Sequence, residues 1–311
     1  MIITLNSNEP AAMNRLDFLK NLGLLSAGAT ILPKYLSSLA RTPFSELRNG
    51  VGLFSMQGGT IGWYTTDDAI VVVDSQFPDP ARAFVDGISD FGSGPEKVLF
   101  NSHHHGDHTG GNLVFENDGY NIIAHANVPG LQRKAAQNND NEDAQAYAAT
   151  TFDDQFRFDA GEETITAKYY GAAHTKGDSV IWFKNANIAH MGDLVFNRLY
   201  PFIDRNGGAN ISGWINLLET VAAEADSETL FIFGHGSPET GVTGNREDLL
   251  YMRDFLYHLL EYTQSAIKAG KSREEVISRT SFDEFPDHVS PSNFLSLPRN
   301  LEVAWLELTE S

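Results

Sequence analysis

The 311-residue sequence contains no cysteine. Disulfides, thiolate nucleophiles and thiolate metal ligands are therefore excluded, and any metal must be held by His, Asp and Glu. Cationic residues are scarce as well: 22 Lys and Arg against 41 Asp and Glu leave a formal net charge of -19. That balance argues against a nucleic-acid partner, because phosphate backbones need clustered basic side chains. It also argues against adsorption to an anionic membrane surface. No apolar run approaches the ~20 residues that span a bilayer, so no stable membrane association is expected.

Residues 1–43 carry a candidate export leader. Met13-Asn14-Arg15-Leu16-Asp17-Phe18-Leu19-Lys20-Asn21 precedes a small-residue-rich apolar run from Leu22 to Leu32, closed by Pro33. The segment resembles a twin-arginine leader, with Phe18-Leu19-Lys20 in the expected place and Leu16 standing where the second arginine would be. The expectation is a periplasmic or exported protein; the alternative is a loosely docked N-terminal helix on a cytoplasmic one.

The rest of the chain alternates strand and helix patterns. Val51 to Met56 and Thr60 to Thr66 read as strands joined at Gly58-Gly59, and Ala69 to Asp74 is an apolar, β-branched run of the buried-strand type. Pro80 to Phe91 has helical spacing, and Lys97 to Asn101 is a second buried strand. Asn112 to Phe115 opens a short helix, Asn121 to Ala124 returns as a strand, and Asn127 to Tyr147, polar and Ala-rich, reads as a surface helix. Strands follow at Gln155 to Phe158, Thr164 to Tyr170, Ser179 to Lys184 and Asn187 to His190, the last two joined by a hairpin turn at Asn185-Ala186. Asn210 to Ala223 reads as a helix and Thr229 to Phe233 as a last buried strand. From Arg246 onward the pattern is helical, with Asp248 to Ala269 amphipathic and a capping-box signature at Ser272-x-x-Glu275. This order predicts sheets covered by helices. The expected organisation is a leader over 1–43, a catalytic domain over 44–244 and a helical extension over 245–311.

Four of the ten histidines fall within six residues, in Asn101-Ser102-His103-His104-His105-Gly106-Asp107-His108-Thr109-Gly110-Gly111-Asn112. The loop follows the C-terminal end of a buried strand, where open α/β sheets place their sites. Three imidazoles and a carboxylate in His103-x-His105-x-Asp107-His108 suit borderline divalent metals, zinc first. Three further candidates also follow strands and lie near glycine: His174 in Gly171-Ala172-Ala173-His174, Asp193 in His190-Met191-Gly192-Asp193, and His235 in Phe233-Gly234-His235-Gly236.

These four motifs, in this order over about residues 50 to 240, resemble those of the metallo-β-lactamase superfamily. The resemblance implies an α/β fold, an αββα four-layer sandwich with the metals at one edge between the sheets, here followed by the helical extension. It assigns His103, His105 and His174 to a first metal, Asp107, His108 and His235 to a second, and Asp193 to a bridge between them. It implies a hydrolase with two zinc ions, in which a bridging hydroxide attacks a small-molecule substrate of β-lactam, lactone, ester or thioester type and Asp107 orients that hydroxide or shuttles its proton. Many true lactamases carry Cys where Asp193 stands, and a carboxylate there also admits iron or manganese. The alternative within the same fold is a mononuclear-iron persulfide dioxygenase, which would leave Asp107, His108 and His235 without a metal.

Other residues carry plainer expectations. His104 lies between ligands and is expected to face elsewhere, and His190 reads as a core histidine on the face opposite Asp193. His125, His258 and His288 have no ligand spacing. Asp178 either steadies the His174 imidazole or shapes a turn. Thr109 to Asn112 is expected to turn the chain and cap the next helix. Phe115, Tyr200, Phe202 and Trp214 are candidates for a substrate cleft or for loop packing, and Arg198 and Arg205 for substrate carboxylate binding or for solvated loop charges.

Overall fold

The structure, a computed structural model, describes residues 43–310. The leader expected over 1–43 lies outside the described residues except for Pro43. Strands β1 (Phe44–Arg48), β2 (Val51–Phe54), β3 (Ile61–Thr65), β4 (Ala69–Val73), β5 (Glu96–Asn101), β6 (Asn121–His125) and β7 (Thr150–Phe152) form a seven-stranded sheet in sequence order. The first four pair antiparallel, and β4 to β7 pair parallel. A second sheet contains β8 (Gln155–Ala160), β9 (Glu163–Tyr169), β10 (Ser179–Phe183), β11 (Ile188–His190), β13 (Leu230–Ile232) and β15 (Thr243–Gly244), in the order β15-β13-β11-β10-β9-β8. Two short strands, β12 (Phe196–Asn197) and β14 (His235–Gly236), pair parallel beside it.

Side-chain alternation turns these sheets into layers. Along β4, Val71 and Val73 join Val98, Phe100, Ile181, Phe183, Ile188 and Ile232 in a core built by both sheets. Ile70 and Val72 point the other way, into a cluster with Phe84 of α1 (Pro78–Ile88) and Phe115 of α3 (Asn112–Asn117). The outer face of the second sheet, with Val180, Trp182 and Phe231, is covered by α5 (Ile211–Glu224), α6 (Arg246–Lys268) and α8 (Leu297–Thr309) through Trp214, Leu218, Phe255, Leu256 and Leu301. Helices outside and two sheets inside give the αββα sandwich that the resemblance implies.

Local signals explain most boundaries. Ser272 and Glu275 form the expected capping box at the start of α7 (Arg273–Ile277), and Asn245 with Asp248 forms another at α6. The surface helix expected over Asn127 to Tyr147 is shorter: α4 spans Val128–Asn138, and a 3-10 turn follows at Glu142–Ala144. The run Asn138-Asn139-Asp140-Asn141 stops it, because Asx side chains compete with helix hydrogen bonds and Asp140 takes a left-handed backbone (φ 53°). Asn112 does not cap α3, whose N-cap is Gly111. Its buried amide instead joins Ser75, Asn101 and Ala146, bracing the end of β5.

Candidate metal centre

The chain leaves β5 at Asn101 and runs directly into His103, His104 and His105, then into a single helical turn, α2 (Gly106–Thr109), that carries Asp107 and His108. The loop after β9 delivers His174, the loop after β11 delivers Asp193, and β14 delivers His235. All seven predicted residues meet at one edge between the sheets.

They meet as two sets. The rings of His103, His105 and His174 stand edge to face at centroid distances of 4.7, 4.8 and 4.9 Å, with His103 Nε2 3.1 Å from His105 Nδ1. Asp193 Oδ2 lies 3.8 Å from His103 Nε2 and 3.9 Å from His174 Nε2. Asp193 Oδ1 faces the other set, 2.9 Å from His108 Nε2 and 3.4 Å from His235 Nε2. Asp107 Oδ2 completes that set, 3.1 Å from His235 Nε2. One carboxylate thus presents one oxygen to each group, the arrangement expected of a bridge.

The donor atoms fit divalent cations. His108 Nε2, His174 Nε2 and Asp193 Oδ1 are fully buried and lack any aligned hydrogen bond, although the first and last approach to 2.9 Å. Leaving such atoms unpaired is costly unless a third atom satisfies them. The electrostatics agree. Burial disfavours charge on His108, yet Asp193, Asp107 and Asp74 outweigh it and raise its pKa well above the usual histidine value. His235 is pushed up to about 9 by Asp193 and Asp107, again against burial. Burial would raise the Asp193 pKa, but His108 and His235 hold it well below the carboxylate range. A set of buried carboxylates that draws protons onto imidazoles is a set that seeks positive charge.

Four of the five imidazoles are steadied from behind by a hydrogen-bond partner. Asp204 Oδ2 lies 3.1 Å from His105 Nε2, Asp178 Oδ1 3.2 Å from His174 Nδ1, Ser102 Oγ 3.0 Å from His103 Nδ1, and Asp74 Oδ2 2.7 Å from His108 Nδ1. Such partners fix which ring nitrogen faces the metal. Asp178 plays the steadying role considered for it and shapes its turn as well, accepting from the Thr175 N–H at 2.6 Å. Asp74 and Asp204 escaped sequence reasoning. The acid closing the AIVVVD strand was the available signal for Asp74, whereas Asp204 sits in a loop with no local signature.

Glycine allows the close approach at two points. Gly192, with φ 51°, turns the chain just before Asp193. A Cβ on Gly234 would sit 2.1 Å from Asp193 Oδ1, so only glycine admits the carboxylate there.

The remaining candidates divide. His190 is a core residue as expected, its Nε2 3.0 Å from the Thr60 carbonyl oxygen. His104 joins neither set but shares Asp204 with His105, its Nε2 3.5 Å from Asp204 Oδ2 and its ring 4.6 Å from that of His105. Phe115 and Tyr200 belong to the core rather than a cleft. Trp214 is buried, donates to the Leu194 carbonyl and packs 5.5 Å from the His174 ring. Phe202 alone of the four is partly open beside the site, 5.3 Å from His105 and 6.3 Å from His174. Arg198 is neither free for a substrate carboxylate nor a solvated charge: it pairs with Asp248 at 3.0 Å and lies 3.7 Å over the Tyr251 ring, tying its loop to α6. Arg205 pairs with Glu310.

Comparison with known proteins agrees with this geometry. A family model described as the metallo-beta-lactamase superfamily matches residues 57–236. Metallo-beta-lactamase IND-1 of Chryseobacterium indologenes is 25% identical over 141 residues, which cover 45% of this chain and 56% of that relative. The chain therefore matches little more than half the length of this relative. Among solved structures, a metallo-beta-lactamase from Pontibacter korlensis superimposes with a TM-score of 0.57 at 16% identity, covering 69% of this chain and 98% of its own. The sec-alkylsulfatase Pisa1 from a Pseudomonas species superimposes with a TM-score of 0.68 at 14% identity, covering 86% of this chain and 50% of its own. With the family match extending over more than half of its length and the candidate ligands gathered at the edge of an αββα sandwich, the chain belongs to the metallo-β-lactamase superfamily.

Proposed function

We propose that the protein is a two-metal hydrolase, with zinc as the metal, acting on a small carbonyl substrate of β-lactam, lactone, ester or thioester type. The observation that carries this reading is Asp193, which offers one oxygen to the His103/His105/His174 set and the other to the Asp107/His108/His235 set. His103, His105 and His174 would hold one cation, Asp107, His108 and His235 the other, and Asp193 both. Bound there, the cations supply a water-derived nucleophile near neutral pH and Lewis acidity toward the carbonyl.

The chain's own residues do the rest. Asp107 is the more exposed of the two central carboxylates, and its pKa lies below the usual value because His108 and His235 outweigh burial. It therefore stays ionised at neutral pH, able to orient an attacking water and accept its proton at the carboxylate oxygen not turned to His108 and His235. Asp204, Asp178, Ser102 and Asp74 hold the imidazoles of His105, His174, His103 and His108 in register. The expected setting is exported, on the strength of the leader-like sequence, and fractionation of cells producing the full chain tests it.

A second reading, hydrolysis of a sulfate ester, is supported by the breadth of the likeness to the sec-alkylsulfatase, which takes in 86% of the chain against 69% for the lactamase. A mononuclear-iron oxygenase has less support, because Asp107, His108 and His235 would then converge for no purpose. Metal quantification on purified protein, paired with lactam, lactone, ester, thioester and alkyl sulfate substrates, separates these readings. Two zinc ions and carbonyl hydrolysis, lost in His103→Ala and Asp107→Ala, are expected. One iron per chain with no hydrolysis would sink the proposal.

A further inference from the structure

Between the loop after β12 and helix α8 lies a cavity of about 420 Å³, lined by Pro201, Phe202, Ile203, Phe294, Val303 and Leu306 among others. Its volume falls within the usual range for small-molecule sites. The two elements around it are tied rather than loosely apposed. Asn300 Nδ2 donates to the Pro201 carbonyl at 2.6 Å in a buried hydrogen bond. The Glu307 carboxylate accepts from the Ile211 and Ser212 N–H groups at the start of α5, and Arg205 pairs with Glu310 at 2.5 Å. Polar ties at both ends hold α8 against the loop, and the half-open gap between them has a mixed lining in which the apolar side chains named above stand beside Asp204, Arg205, Asn206, Arg299, Asn300 and Glu302.

The cavity adjoins the metal centre through two side chains, Phe202 and Asp204, the latter 3.1 Å from His105 Nε2. Phe202 lines it and also packs against His105 and His174. Phe294, 55% exposed, stacks on Phe202 at 4.6 Å and extends the apolar wall outward. Each lining arginine already has a carboxylate partner, Arg205 in Glu310 and Arg299 in Glu302, which Arg273 shares, and the lining carboxylate of Asp204 adds a negative charge that opposes an anion. A lining of this kind rewards a neutral apolar chain more than an anion, because paired arginines give a carboxylate little net attraction.

We propose that this cavity is the subsite for an apolar acyl or alkyl chain of the substrate, whose reacting group lies at the metal centre and whose chain passes Phe202 into the gap beneath α8. The assignment rests on the hydrolase reading and makes the C-terminal helix a determinant of specificity. Val303 stands on the cavity wall, so Val303→Trp fills it; Phe294→Ala, at an exposed position, removes the outer wall with little risk to folding.

Two measurements on the metal-loaded full chain test the proposal. The first is direct binding of 1-octanol by saturation-transfer NMR, and the second is the ratio of kcat/KM for p-nitrophenyl octanoate to that for the acetate. Wild type should bind octanol and prefer the octanoate, and Val303→Trp should reduce both the binding and the ratio by about tenfold or more, given the methylenes it denies burial. Phe294→Ala should weaken both by a few-fold. Absence of octanol binding, or an octanoate-to-acetate ratio unmoved by Val303→Trp, overturns the assignment even if carbonyl hydrolysis is found. Octanol binding that depends on Val303 in a protein that hydrolyses no substrate offered sinks the hydrolase reading and leaves the cavity standing as a site for apolar chains.

Discussion

Asp74 Oδ2 lies 2.7 Å from Nδ1 of His108, and both side chains are fully buried. The same carboxylate accepts from the backbone N–H and the hydroxyl of Ser102, each at 2.7 Å. It therefore governs the orientation of His108 and, through Ser102, the approach to His103. Replacing Asp74 by Asn should keep the shape but weaken binding of the metal at Asp107, His108 and His235 by about 10–100-fold, as losing such a partner does elsewhere. Competition titration with a chromophoric chelator reads this directly; two equally tight sites in the variant would contradict it.

Gly234→Ala tests the close approach of β14 to the bridge. The new methyl would meet Asp193 Oδ1 at 2.1 Å, so the carboxylate or the strand must move. We expect zinc content to fall below two per chain and hydrolysis to drop by at least about 100-fold, since a displacement of ~1 Å at a reacting centre carries that cost. Normal zinc content and full activity would show that the carboxylate has room to retreat.

Removing the metal should destabilise the fold. Buried carboxylates and imidazoles that lose their cations must share protons instead, as the raised pKa values of His108 and His235 indicate. A cation that binds only the folded state at 100 times its Kd adds about 2.7 kcal/mol per site. Chelation should therefore lower Tm by several degrees, and zinc should restore it. Calorimetry with and without chelator supplies the check.

His288 offers a pH test remote from the ligands. It is stacked against Tyr251 and Phe255, neither ring nitrogen has a partner, and burial together with Arg198 lowers its pKa from 6.5 to about 3. Tyr200 and Phe285 complete its surroundings. Between those two values the unfolded chain binds a proton that the folded chain refuses, so stability falls as pH drops below 6.5. By pH 5 this one group should cost about 2 kcal/mol relative to neutral pH. Denaturant unfolding of His288→Phe at pH 7 and pH 5 should show a correspondingly smaller loss than wild type. Equal losses in the two proteins would mean that other groups carry the acid sensitivity.

How far the sequence could be read depends on where each signal resides. The longer strands were legible because burial writes a period or an apolar run into each segment, as in the AIVVVD stretch, whereas β1, β7, β12, β14 and β15 were not, and the two-sheet sandwich came from the family resemblance. The seven candidate ligands were legible because metal chemistry restricts the residue types and each sits where a strand ends. Asp204 was not, because its role comes from a fold that returns it to His105 across 99 residues. Arg198 misled for a similar reason: its partners Asp248 and Tyr251 belong to a helix some 50 residues on. Aromatic residues near the site gave no local hint of which would be buried; Trp214 entered the core while Phe202 stayed at the rim.

The parentage of the seven side chains has a mechanical consequence. His103, His105, Asp107 and His108 come from the part of the chain that builds the first sheet, and His174, Asp193 and His235 from the part that builds the second. The edge where they gather is the seam of the sandwich. Cations held there would act as rivets through both leaves, adding stiffness at that margin. Emptying the seam should leave each leaf intact while letting their free edges breathe, and amide exchange should quicken first where β5 and β11 run into the ligand loops.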